Sequence, residues 1–337
     1  MNCIHLGEEL GIQRRRVDQP IYKCQLYDEC TLTKSRLRNC FSCSDFVAVD
    51  DIDIKNKWQD HLRIVDREGK RTHVLRNFLS GGAAFLVCGG PSLRQLDLEP
   101  LRQRGVFSLG VNNVAGYAPV SAFTCSDPPS KFHSGIFLDP KVMKLLPEPK
   151  LIHRKRGALR KKTKEGKFQW MGISTQDCPN TWGYDRRSWL ACDDSWFLGA
   201  GAAWGNHDAG VKKTGEPKTV NTMFLGLRLL QYLGAKTIFL LGVDFYMNPT
   251  SGLRDNYAFS EKRDAGAVSS NNNQYKIAND WLIRLRPIFE KYGFVTYNCN
   301  PESHLRAFDY VPYETAVRVC RGQVPPEPFD LDDWYTK

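Results

Sequence analysis

A series of short apolar runs, most of them closing on glycine or cysteine, most constrains how this chain can fold. They are residues 83–88 (AAFLVC), 106–111 (VFSLGV), 121–125 (SAFTC), 150–153 (KLIH), 237–242 (TIFLLG) and 294–299 (FVTYNC). Each is too short for a helix and apolar without strict alternation, which reads as a strand buried on both faces. Residues 220–233 form an apolar helix ended by Gly234, and Trp281, Leu282, Leu285 and Ile288 recur at helical spacing before the last run. Strands alternating with helices imply an α/β fold, a mostly parallel sheet with helices on both faces.

In such a sheet, ligands bind in the crevice outside the carboxyl ends of the strands. Polar residues collect there. The first run passes into Gly89-Gly90-Pro91-Ser92, where glycine permits close backbone approach and a helix start offers free N–H groups to a phosphate. Neither the dinucleotide fingerprint nor a Walker A loop is present, and a tight turn with Ser92 near a helix start has the same pattern. The second run ends in Asn112 and Asn113, whose amides suit a base or ribose and equally an ordinary turn. The third ends in Ser126-Asp127-Pro128-Pro129, and the fifth leads into a loop carrying Asp244, Tyr246, Asp255 and Tyr257.

The chain has 337 residues, enough for a substantial core with an appendage. Five of its 11 cysteines, Cys3, Cys24, Cys30, Cys40 and Cys43, fall in the first 43 residues, with His5 beside the first. The closing C-x-x-C is a metal knuckle, and four thiolates suit zinc; an iron–sulfur cluster fits the same ligands, and which four bind stays open. Residues 1–50 are therefore expected to form a small cysteine-rich metal-binding module, stabilised largely by its ion. Residues 51–80 read as a helical connector, 81–312 as the main domain with an insertion at 154–218, and 313–337 as a C-terminal tail.

No run of about 18 apolar residues occurs and the start lacks a signal-peptide core, so a cytoplasmic protein without a membrane partner is expected. The net charge of +10 favours an anionic partner. Its densest cationic stretch is HRKRGALRKKTKEGK, where Arg154, Lys155, Arg156, Arg160, Lys161 and Lys162 form either a solvated loop or a footprint for nucleic-acid phosphates. Trp170, Trp182, Trp189, Trp196 and Trp204 follow; they suit base stacking and lid packing equally.

The segments LVCGGPSL, GVNN, LGAKTIFLLGVDFYMN with YAF, and NCNPESHLRAF together resemble the bacterial lipooligosaccharide sialyltransferases of glycosyltransferase family 42. More distantly the chain is similar to the archaeal 6-hydroxymethylpterin pyrophosphokinases, which share the GPSL turn. The likeness spans residues 83–115 and 219–309. It implies a Rossmann-like sheet binding a nucleotide-activated sugar without a metal. Asn112 would read the nucleotide, Asn221 and Thr222 would contact the donor, and Tyr246 and Tyr257 would hold its phosphate as the leaving group gains charge.

Two departures matter. Gly89 stands where the family has asparagine, and no histidine lies near residues 274–276, where the family's general base falls. Asp244, Asp127 and His207 are then the expected bases, and the sialyl donor loses its support. The basic stretch, the charge and the cysteine module point to DNA as acceptor, as in a phage-type enzyme glycosylating a hydroxymethylated pyrimidine. An ATP-dependent pyrophosphokinase-like enzyme with magnesium on Asp127 and Asp244, and a non-catalytic nucleic-acid-binding protein, are the alternatives.

Overall fold

The computed structural model describes residues 62–163, 167–185, 221–249, 255–259 and 265–322, with three short strands before them. The chain divides into two compact units, Met1–His61 and Leu62–Lys337. In the first, β1 (Gln13–Arg14), β2 (Pro20–Lys23) and β3 (Thr31–Leu32) pair in that order, antiparallel throughout. The five expected metal-binding cysteines, Cys3, Cys24, Cys30, Cys40 and Cys43, lie outside the described residues.

The second unit opens with a hairpin of β4 (Ile64–Val65) and β5 (Arg71–Thr72), followed by β6 (Ala83–Val87), β7 (Ser108–Val111) and β8 (Ala122–Thr124). Helix α1 (Ser134–Leu138), strand β9 (Met143–Pro147) and helix α2 (Glu148–Ile152) lead to a second hairpin, β10 (Ala158–Lys162) with β11 (Phe168–Ser174). Then come β12 (Thr181–Tyr184), α3 (Thr222–Tyr232), β13 (Thr237–Leu241), α4 (Ala265–Lys291), β14 (Val295–Asn298), β15 (Asp309–Tyr310) and α5 (Tyr313–Arg321).

A ten-stranded sheet runs β15-β14-β13-β6-β7-β8-β9-β12-β4-β5. Pairing is parallel from β15 to β12 and antiparallel only at the β4–β5 edge. Its middle is covered on both sides, and the period of two in a strand sorts the side chains. Ala84, Leu86, Ile238 and Leu240 pack against α3 and α4, including Trp281, Leu282 and Leu285. Ala83, Phe85, Val87, Phe239 and Leu241 pack on the opposite face with Ala316, Val317 and Cys320 of α5. Helix α3 is buried on nearly every side, so its sequence is apolar all round rather than striped. Asn221 caps it by accepting from Phe224 N at 3.1 Å, and Gly234, at φ +93°, ends it. Among the described residues, no helix is long and apolar enough to cross a membrane.

Four expectations are corrected. Residues 150–153 lie mostly in α2 and not in a strand, because Pro149 has no N–H to give a ladder and sets helical φ in the helix's first turn. The strand is one segment earlier, at β9. The connector at 51–80 carries a β-hairpin where helices were expected: the Asp66 carboxylate accepts from Glu68 N and Lys70 N at 3.0 and 2.8 Å, turning the chain between β4 and β5. The insertion at 154–218 contains β12, which pairs with β9 inside the main sheet. The tail begins with a helix, α5, whose Tyr313, Ala316, Val317 and Cys320 are buried in the core.

Strand β9 hides Lys144, a fully buried lysine whose Nζ donates to Asp139 O at 2.7 Å. Burial pushes its pKa down to about 8, against the opposing pull of Cys178 and Asp139. Lys144→Met keeps the volume and removes the buried charge, so it is expected to stabilise the protein by about 1–2 kcal/mol near neutral pH. The folded chain releases this proton before the unfolded chain does. Between pH about 8 and the ordinary 10.5, the unfolded state therefore binds more protons and wild-type stability from this group rises. Urea melts of both proteins across that window should show the advantage of the Met variant shrinking as pH rises; a constant gap would contradict it.

Candidate active site

The strand order reverses direction between β6 and β13. From β6 the chain steps outward to β7, β8, β9 and β12; from β13 it steps the other way to β14 and β15. Across β8-β7-β6-β13-β14-β15 this matches the order of a doubly wound Rossmann-type sheet, in which loops leaving adjacent strands part and open a crevice. A cleft of about 670 Å³ lies at that point. It brings together Gly89, Gly90, Asn112, Asn113, Asp127, Asn221, Thr222, Asp244, Tyr246 and Tyr257, which come from four strand ends and the start of α3. Ser92 stands behind the wall, and His207 lies outside the described residues.

Asp244 is a brace. Its Oδ2 accepts from Ser92 N at 3.0 Å, and its Oδ1 from Ser92 Oγ at 2.5 Å and Asn300 Nδ2 at 2.7 Å. One carboxylate thus ties the turn after β6 and the loop after β14 to the loop after β13. Gly90 sits against it, with its N–H donating to Gly242 O at 2.9 Å. Burial, with the charge of Asp244 adding, pushes the Cys88 thiol up to about 12, so the cysteine of the cleft stays protonated and unreactive.

Asn112 has left-handed backbone, φ +56°, and Phe245 repeats this at the end of β13 with φ +55°. Such conformations cost free energy away from glycine and gather at functional sites. Asn112 Nδ2 donates to Thr222 Oγ1 at 3.2 Å, and Thr222 Oγ1 lies 3.4 Å from Ser126 Oγ, linking β7, β8 and α3. The buried Asn112 Oδ1 has no hydrogen-bond partner. A cleft-lining acceptor in that state suits an incoming N–H donor.

The two tyrosines stand on the loop after β13. Tyr246 is 43% exposed, and its ring stacks on His304 at 4.7 Å and 15°. Tyr257 stacks on Phe259 at 5.5 Å, and its carbonyl accepts from Arg94 Nη2 at 2.5 Å. Helix α4 fixes the loop: the Asn272 side chain both accepts from Met247 N and donates to Met247 O, each at 2.8 Å. Phe245 stacks on Tyr275 of the same helix at 5.1 Å. Gln274 and Tyr275, which occupy the place of the expected histidine, line the cleft. Asp127 presents an exposed carboxylate there, 3.2 Å from Lys131 Nζ.

His304, Asn272 and Asn300 escaped sequence reasoning. His304 sits inside the NCNPESHLRAF motif, but its meeting with Tyr246 depends on its N–H donating to Asp244 O at 2.9 Å. Among the described residues, no group of three or more His, Cys, Asp or Glu side chains is arranged to hold a metal ion.

The basic stretch is divided. Arg154 donates to both oxygens of Asp177 at 2.8 and 2.7 Å, and that pairing holds the Asp177 carboxyl below its usual range. Lys155, Arg156, Arg160 and Lys161 are exposed, the last two on β10, where Lys162 ends the strand. Trp170 is exposed and Trp182 packs partly into the core; Trp189, Trp196 and Trp204 lie outside the described residues.

The fold and cleft define a mostly parallel α/β protein with a polar, switch-point binding site. No protein-family model matches the chain, and no curated protein does. Among solved structures it is similar to the sialyltransferase CstII from Campylobacter jejuni in complex with the substrate analogue CMP-3FNeuAc. The identity is 13% over 68% of this chain and 86% of that one, with a TM-score of 0.37. The same enzyme with cytidine-5'-monophosphate gives 13% over 68% and 84%, at 0.35, and a CstII variant with CMP gives 13% over 69% and 87%, at 0.37.

Proposed function

We propose that the protein is a glycosyltransferase that takes a nucleotide-activated sugar into this cleft and transfers the sugar to a hydroxyl. One observation carries the reading: Asn112, whose amide oxygen has no partner, the amino end of α3 and the two tyrosines line one cleft of nucleotide-sugar size. Asn112 would accept from the base or ribose. The start of α3 and the tyrosine hydroxyls would face the phosphate, and Asp127 would take the acceptor's proton. Phosphoryl transfer from ATP is disfavoured, because the carboxylate expected to hold magnesium, Asp244, already takes three protein donors. In its finer form the acceptor is a hydroxymethylated pyrimidine in DNA, in keeping with the exposed basic hairpin.

The test incubates the full chain with hydroxymethylated DNA and a panel of nucleotide-sugars, read by mass spectrometry, with a thermal-shift series that includes ATP. One nucleotide-sugar is expected to raise Tm and add its sugar mass to the DNA. Stabilisation by ATP alone would instead favour the phosphoryl-transfer enzyme. In the same assay Asp127→Asn is expected to lower turnover about 100-fold while keeping the donor-induced shift. Unchanged turnover would remove Asp127 from the base role.

A further inference from the structure

The β10–β11 hairpin has two unlike faces. Arg160 and Trp170 are directly opposed across the pair and therefore share one face. Their neighbours Leu159 and Met171 point the other way, into a cluster with Phe123, Phe132 and Phe137. The hairpin is anchored by that inner face, and the outer indole, 60% exposed, is not needed for packing. Lys155 and Arg156 are exposed where the chain enters β10, while Lys161, opposed to Gln169, falls on the other face of the pair. Strand β10 also packs along the Pro129–Lys131 turn, and Lys131 lines the cleft.

We propose that this outer face is a docking strip for single-stranded nucleic acid, with Trp170 stacking on a base while Arg160, and Lys155 and Arg156 at the entry to the hairpin, meet the backbone, so that the strand is led toward the cleft. An indole beside a guanidinium suits a base, which has a π-face, above an acidic peptide, which has none. In a duplex the bases are stacked on one another and Trp170 has no face to meet, which selects single strands. The glycosyltransferase reading supplies only the consequence, that the docked strand carries the acceptor.

The experiment measures anisotropy of a short labelled single-stranded oligodeoxynucleotide with the full chain and no sugar donor. Binding is expected to weaken steeply with salt, and the salt slope to fall by about one for each cation removed in Arg160→Ala with Arg156→Ala. Trp170→Ala should weaken binding about tenfold and Trp170→Phe should restore most of it. A duplex of equal length or heparin bound as tightly, with Trp170→Ala unchanged, would overturn the strip, as would anionic phosphatidylserine vesicles captured in preference to the oligonucleotide. Because neither donor nor turnover enters the readout, the two readings fail separately. Sugar transfer without oligonucleotide binding sinks only the strip, and Trp170-dependent binding without any nucleotide-sugar effect sinks only the transferase.

Discussion

With Tyr246 and Tyr257 both changed to Phe, the protein is expected to stay folded and to lose about 10³-fold or more in turnover. A leaving nucleotide must shed its sugar while its phosphate gains charge, and the cleft has little formal positive charge to meet it. Among the described residues that line the cleft, Lys131 is the one lysine or arginine, and it already pairs with Asp127. On the proposed reading the work then falls to neutral donors of residues that line the cleft, the phenol O–H groups and the amino end of α3. Such preorganised donors are each worth about 10²–10³ in rate, and paired ones are rarely additive. Folding should be spared because Phe keeps both ring stacks, on His304 and on Phe259. Single-turnover rates at saturating donor isolate the effect, since a loss confined to KM would mean that the hydroxyls bind substrate and transition state alike. A double variant with wild-type turnover would end the assignment of catalysis to this cleft.

The parts of the fold legible in the sequence are those where one physical cause dominates. Strand β6 and all of β13 after Thr237 are buried, so their side chains are apolar and the run is plain to see. Their polar ends were readable for the same reason, since the apolar run stops where the strand leaves the core and the loop reaches the cleft. Strand β9 was missed because a buried lysine interrupts it, and an ammonium with a backbone acceptor looks, in sequence, like an exposed one. Strand β12 was missed because TWGY is short and carries a glycine against Val65 and Leu151, where any Cβ would collide.

The site was legible as a set of residues and less so as roles. Asp244 has the composition of a base, but its two oxygens are engaged by Ser92, 152 residues away, and by Asn300. No local pattern reveals that a carboxylate is already taken. The same holds for His304, which joins the site only because the loop after β14 is tied to the loop after β13. Long-range hydrogen bonds decide which polar groups are free to act, and these are what a periodicity argument cannot see.

That tie makes Gly90 a sensitive backbone position in the cleft. A Cβ there would stand 2.4 Å from Asp244 Oδ2 and 2.6 Å from Gly242 O. Neither atom can simply step aside. Asp244 Oδ2 accepts from Ser92 N at 3.0 Å, and Gly242 O accepts from Gly90 N at 2.9 Å, so relieving the clash breaks hydrogen bonds that hold two strand ends together. Overpacking of this kind costs about 1–3 kcal/mol, and the unsatisfied groups add about 1–3 more. Gly90→Ala is therefore expected to lower stability by about 3 kcal/mol or more and to abolish the donor-induced thermal shift in whatever fraction still folds. Gly116→Ala is the matched control, because a Cβ at Gly116 meets nothing within 4 Å; its effect should stay within about 0.5 kcal/mol. Urea melts with equal m-values would place the difference in the folded state. Equal midpoints for the two variants would mean that the brace around Asp244 yields, and that the cleft is not held in the shape that the proposed transfer requires.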